Sequence, residues 1–293
     1  MERAFSVSEK LYPFESHWCE VDRIPVHYID EGSGPTLLFL HGNPTWSFLY
    51  RDIVAALRGD YRCVAIDYPG MGLSGKPRDF GRSDYKFTPA EHSAVVERIV
   101  EALDLRDITL MVQDWGGPIG LGFATRQPER IRRLVIGNTW AWPADHLDMK
   151  VFSTVLGRGP GRLLVMRRNA FVKWLLPSGI NRKERLTPDV LAAYEGPYPT
   201  PKDREPTAVF PRAIVASRHY LAEVESGLHR LADKPVKLVW GNRDRAFRKR
   251  ELERWRALFP QASLEMLDGA NHFIQEDAPE QISAAIRTFA AST

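Results

Sequence analysis

The 293-residue sequence is short of cysteine, of long apolar runs and of any overall charge imbalance. Its two thiols are Cys19 and Cys63, and Cys63 lies in an apolar, strand-like run, which argues against a disulfide framework and for a reducing interior. No apolar run reaches the length that crosses a bilayer, and residues 1–17 lack the apolar segment of a secretory signal. A soluble, cytoplasmic protein is therefore expected. Net charge is +3 with both signs mixed along the chain, a pattern that predicts neither a nucleic-acid nor a membrane partner. The densest basic stretch, residues 243–256, still holds Asp244, Glu251 and Glu253 and reads as a solvated helix face. There is no internal repeat or low-complexity tract. Assembly into a homo-oligomer stays open.

What is present is an alternation. Short β-branched runs at 36–41, 61–66, 108–113, 131–137, 235–240 and 262–267 follow a hairpin near 18–30, and longer helical patterns separate them. Residues 88–103 and 279–290 have helical spacing, opened by Thr-Pro and Ala-Pro. The spacing predicts an α/β fold with a mostly parallel, doubly wound sheet. It fails between about 142 and 218, where nine prolines punctuate short helical pieces. That stretch reads as a helical cap (142–218) inserted into a core made of 1–141 and 219–293, closing over the carboxyl ends of the strands.

The run Val112-Gln113-Asp114-Trp115-Gly116-Gly117 places an aspartate at a strand-turn-helix elbow, where a hydrolase of this topology presents its nucleophilic serine. Asp114 is a candidate nucleophile toward carbon bearing a leaving group; a plain helix N-cap is the alternative. Its base would be His272, in the loop after the last strand, unless that histidine is only a satisfied loop residue. Asp244 leaves the neighbouring strand and is the preferred carboxylate for His272, with Asp268 as second choice in a turn-forming position. The order Asp114, Asp244, His272 is that of nucleophile, acid and base in α/β-hydrolases. The HGNPTWS turn at 41–47 follows another strand, so backbone N–H groups of Asn43 and Trp115 would form an oxyanion hole. Their side chains, an amide and an indole, offer two neutral donors suited to a departing halide. His41 reads as structural, and Ser74 as a turn residue outside any elbow.

These pieces resemble the haloalkane dehalogenases of the α/β-hydrolase fold: HGNPTWS at 41–47, DYPGMGLSGKP at 67–77, VQDWGGPIGL at 112–121, GNRDRAF at 241–247 and NHFIQED at 271–277, with YEGPYPTPKDREPT in the cap. The resemblance implies Asp114 as nucleophile, His272 as base and Asn43 with Trp115 as halide-binding pair. One branch of the family carries its acid as a glutamate where this chain has Asn138, which leaves Asp244. It also implies a small halogenated aliphatic substrate and no metal or organic cofactor. Trp140, Trp142, Phe171 and Tyr198 are candidate pocket walls, Trp174 is expected to pack, and Val112 occupies a position often held by glycine. The nearest rival is an epoxide hydrolase with the same Asp114, His272 and Asp244, donating to the epoxide through cap tyrosines such as Tyr194 and Tyr198.

Overall fold

The computed structural model describes residues 5–293; residues 1–4, the start of the polar N-terminal stretch, lie outside them. Among the described residues eight strands form one sheet: β1 (His17–Val21), β2 (Ile24–Glu31), β3 (Thr36–Leu40), β4 (Arg62–Ile66), β5 (Ile108–Gln113), β6 (Ile131–Gly137), β7 (Val236–Gly241) and β8 (Ser263–Leu267). Their order is β1-β2-β4-β3-β5-β6-β7-β8. The first two pairings are antiparallel and the rest are parallel. Every residue of β3 and β5 is buried, as expected of parallel strands covered on both faces. Cys19 on β1 and Cys63 on β4 are separated by β2, and both are free.

Helices α1 (Arg51–Leu57), α2 (Pro89–Ala102) and α3 (Gly116–Arg126) belong to the core, with α10 (Lys249–Leu258), α11 (Ile274–Asp277) and α12 (Pro279–Ser292) after β7. Thr88 caps α2 reciprocally with Glu91, and Pro89 fills the first turn, where its missing N–H costs nothing. The elbow expected at 112–117 is tight: β5 ends at Gln113 and α3 already begins at Gly116. A Cβ at Gly116 would sit 2.1 Å from the Leu40 carbonyl oxygen, so only glycine lets the helix start this close to β3.

Between β6 and β7 run α4 (Leu147–Gly157), α5 (Gly159–Arg168), α6 (Leu176–Ser178), α7 (Pro188–Glu195), α8 (Glu205–Ala216) and α9 (Arg218–Gly227). Four of the nine prolines that break the sequence pattern are used here as starts: Pro160, Pro177, Pro188 and Pro206 lie in first turns, while Pro211 is inside α8. Among the described residues no helix is long and apolar enough to cross a membrane.

A buried ion cluster fastens this helical segment to the core. Arg51 of α1 donates twice to Glu276 of α11, at 2.5 and 2.9 Å, and the Tyr194 hydroxyl of α7 donates to the same carboxylate at 2.5 Å. Removing one partner of a buried pair strands the other charge. Glu276→Gln is therefore expected to destabilise the protein by about 3–5 kcal/mol, measured as a fall in the denaturant midpoint at unchanged m-value.

Candidate active site

Asp114 leaves β5 with φ of +50°, in the left-handed region that a residue with a Cβ rarely occupies. The sequence left strain uncertain because Val112 replaces a glycine; Val112 stays inside β5, and the unusual backbone is confined to Asp114. Surrounding contacts hold it there. The Asp114 N–H donates to the Asn138 carbonyl at 3.1 Å, and Thr139 Oγ1 donates to the Asp114 carbonyl at 2.5 Å. Opposite stands Gly42, where a Cβ would lie 2.2 Å from Asp114 Oδ1. Its absence lets the Asn43 N–H reach that oxygen at 2.8 Å.

Burial pushes the Asp114 carboxyl above the ordinary carboxylate range. The nearby His272 charge and the backbone N–H groups of Trp115 and Asn43 draw it part of the way back. The two backbone donors named from the sequence thus converge on one carboxylate.

His272 follows β8. Its Nε2 is 3.6 Å from Asp114 Oδ2, and its Nδ1 is 3.0 Å from Asp244 Oδ2. With the Nδ1 hydrogen directed at Asp244, Nε2 faces Asp114 and is the ring nitrogen placed to exchange a proton there. Asp244 is itself fixed: Oδ2 accepts from Asn138 Nδ2 at 2.9 Å, and Oδ1 accepts from the Ala246 N–H at 2.6 Å. Asp268, the second choice, is exposed and accepts instead from Asn242 Nδ2.

Two contributors escaped the sequence reading. Asn138 counted there only as a missing charge; its amide bridges Asp244 and the Gly241 N–H, which donates to its Oδ1 at 2.7 Å. Gln113 donates to the His272 carbonyl at 2.9 Å and pins the histidine loop to the elbow. Its place directly before Asp114 at the end of a buried strand was the available signal.

Asn43 Nδ2 donates to the Thr207 carbonyl at 3.3 Å, which leaves its second N–H free to turn inward. The Trp115 indole N–H has no protein acceptor among the described residues, and Trp115 lines the cavity. That cavity, about 420 Å³, lies between the sheet and the helical segment. Trp140, Phe152, Phe171, Leu175, Ile214 and Phe247 form much of its wall. Of the other proposed walls, Trp142 packs on Trp255 and Tyr198 donates to the Pro44 carbonyl, both outside the cavity lining. Trp174 does not pack as expected and is 53% exposed. His41 is buried, its ring against the Gly42 carbonyl, and burial lowers it to about 4, so it is neutral and structural. Ser74 donates to the Asp67 carbonyl within a turn.

Burial presses on His272 to lose its proton, but the Asp244 carboxylate outweighs it and lifts the imidazole to about 8. A histidine raised from 6.5 contributes stability in full below pH 6.5 and loses it as pH climbs through about 8. Asp244→Asn removes the larger support and leaves Asp114 alone to oppose burial. His272 in that variant is expected to titrate below the wild-type value of about 8 by NMR, and the fall in Tm that this group gives the wild type as pH rises toward 8 should move to lower pH.

A family model described as alpha/beta hydrolase fold matches residues 35–279. Haloalkane dehalogenase 2 of Mycobacterium tuberculosis is 46% identical over 284 residues, covering 96% of this chain and 97% of that protein. A cis-3-alkyl-4-alkyloxetan-2-one decarboxylase of Shewanella oneidensis is 34% identical, covering 97% of this chain and 91% of its own. Among solved structures, a haloalkane dehalogenase from Agrobacterium tumefaciens superposes with a TM-score of 0.84 at 28% identity, covering 95% of this chain and 96% of the other.

Proposed function

Since the chain belongs to the haloalkane dehalogenase family of the α/β-hydrolase fold, we propose that it hydrolyses haloalkanes to alcohol and halide through an alkyl ester on Asp114. The observation that carries this reading is the arrangement around that carboxylate. Asp114 is held open to an apolar cavity, His272 Nε2 stands 3.6 Å away, and an uncommitted indole N–H comes from the next residue.

In the first step an Asp114 oxygen attacks the halogen-bearing carbon and the carbon–halogen bond breaks in line. The departing halide is received by the Trp115 indole and the free Asn43 amide hydrogen, neutral donors that hold an anion without trapping it. Water then enters between His272 and the ester. His272 Nε2 takes its proton, the oxygen adds to the Asp114 carboxyl carbon, and the N–H groups of Asn43 and Trp115 receive the oxyanion. Collapse expels the alkoxide, which takes the proton from His272. The carboxylic acid left at Asp114 then ionises, so alcohol, halide and one proton leave. Asp244 stabilises the imidazolium between these transfers. Residues 142–218 serve as the cap that keeps bulk water from the first step.

The epoxide-hydrolase alternative requires tyrosine hydroxyls in the cavity. Tyr194 is committed to Glu276 and Tyr198 to the Pro44 carbonyl, and neither lines it, so that reading is not carried further.

The test is halide release from chlorinated, brominated and iodinated alkanes of graded length, with a cis-3,4-dialkyl β-lactone as control substrate because of the Shewanella relative. Halide release is expected; alkene formation from the lactone without halide release would overturn the proposal. Asp114→Asn should abolish turnover. His272→Gln should lower it roughly 10²–10⁴-fold and accumulate the alkyl ester, seen by intact mass as protein plus one alkyl group. An unmodified mass in that variant refutes the two-step scheme.

A further inference from the structure

We propose that the outer face of α4 and α5 docks on an anionic lipid surface and sets the cavity mouth against it. The claim concerns binding, and it stands or falls independently of the reaction. Mixed charge along the whole sequence predicted no membrane partner, yet the mixing fails in one place. From 149 to 183 there is no Asp or Glu and there are eight Lys and Arg residues. The net charge is +3, so the rest of the chain carries a net −5.

Helices α4 and α5, whose one acidic residue is Asp148 in the first turn of α4, also collect exposed apolar side chains. Leu147, Val151 and Val155 recur every fourth residue on α4 and so form one stripe, and they are 75, 50 and 57% exposed. Of ten exposed large hydrophobic residues among those described, seven lie between 147 and 174, including Leu163 and Leu164 on α5. The opposite side of α4 is occupied: Gly157 abuts the backbone of Arg212 on α8, and Met149 and Phe152 line the cavity. One helix thus has an inner face on the cavity and an outer apolar face without cover.

Arg158, Arg162, Arg167 and Arg168 are exposed on α5 and at its entry, the helix that follows α4 and packs against it. Among the described residues none has a carboxylate within 4.0 Å, whereas neighbouring Lys173 pairs with Glu195 and Asp148 with Arg250. Exposed Trp174 adds a ring of the kind that settles at headgroup level. An apolar stripe flanked by unpaired arginines is the composition of an interfacial helix on anionic lipid. A second copy of the chain is disfavoured as the occupant, because a two-fold contact through this face would oppose two equally cationic surfaces. Docking here would bring apolar compounds dissolved in the bilayer to the helix whose Met149 and Phe152 line the cavity.

The test is co-sedimentation of the full chain with vesicles of mixed phosphatidylglycerol and phosphatidylcholine, against vesicles of phosphatidylcholine alone. Binding is expected to the mixed vesicles only, and to weaken as salt is raised. Each arginine near such a surface contributes about 1 kcal/mol, a factor of ~5. Replacing all four by glutamine should therefore lower the partition coefficient by more than ~100-fold. The variant with Leu147→Glu, Val151→Glu and Val155→Glu should also lose binding while retaining its circular dichroism spectrum and its turnover of a water-soluble bromoalkane. Equal partition into both vesicle types, or into neither, overturns the proposal. So does sedimentation equilibrium showing a dimer that the glutamate variant dissociates, since the stripe would then belong to a subunit interface.

Discussion

Everything in the site follows from holding one carboxylate out of water. Asp114 is buried, and burial alone would drive it to take up a proton and lose nucleophilicity. The fold opposes this with the N–H groups of Asn43 and Trp115 and the charge of His272. Those donors reach the carboxylate only because the backbone turns left-handed at Asp114 and because Gly42 and Gly116 leave room for the close approach. The strain is borne by the parallel strands behind it, whose residues are fully buried.

The helical segment is bound to the core through charge as well as apolar contact. Glu276 lies four residues beyond His272, and it takes hydrogen bonds from Arg51 below and Tyr194 above. Asp277 continues the tie by accepting from the Asn181 and Asn271 backbone N–H groups. A movement of the helical segment therefore pulls on the turn that follows His272. Tyr194, one of the two tyrosines that sequence alone offers as epoxide donors, is spent on this attachment, and the other, Tyr198, on the Pro44 carbonyl.

Periodicity and start signals made most of the fold legible. The central parallel strands β3 and β5 are nearly continuous apolar runs, and Thr88-Pro89 with Glu91 is a local signal that tertiary context did not override. Asp114, Asp244 and His272 were legible as candidates because each lies in the segment leaving the carboxyl end of a parallel strand, β5, β7 and β8, so topology brings them to one edge of the sheet. Asn138 and Gln113 were not, since their work lies in hydrogen bonds between distant strand ends, and an uncharged amide gives no pattern along the chain. The cap's outer face was hidden for the opposite reason. Its charge run was present in the sequence, but a chain-wide balance averaged it away, and only the helix geometry puts Leu147, Val151 and Val155 together on one exposed face of α4.

The electrostatics also give the proposed reaction a direction. In the resting protein the negative charges of Asp244 and Asp114 both favour protonated His272, and burial opposes them. Protonated His272 in turn helps keep Asp114 ionised, as a nucleophile must be. Esterification removes the Asp114 charge and with it one of the two supports for the imidazolium, so the pKa of His272 falls below about 8 at the stage where it has to accept a proton from water. Hydrolysis restores the carboxylate and, with it, the support. The same pair of groups thereby favours the nucleophilic step when Asp114 is free and the base-assisted step when it is esterified, without any change of shape. Asp244, held by Asn138 and the Ala246 N–H, is the constant charge against which this alternation runs.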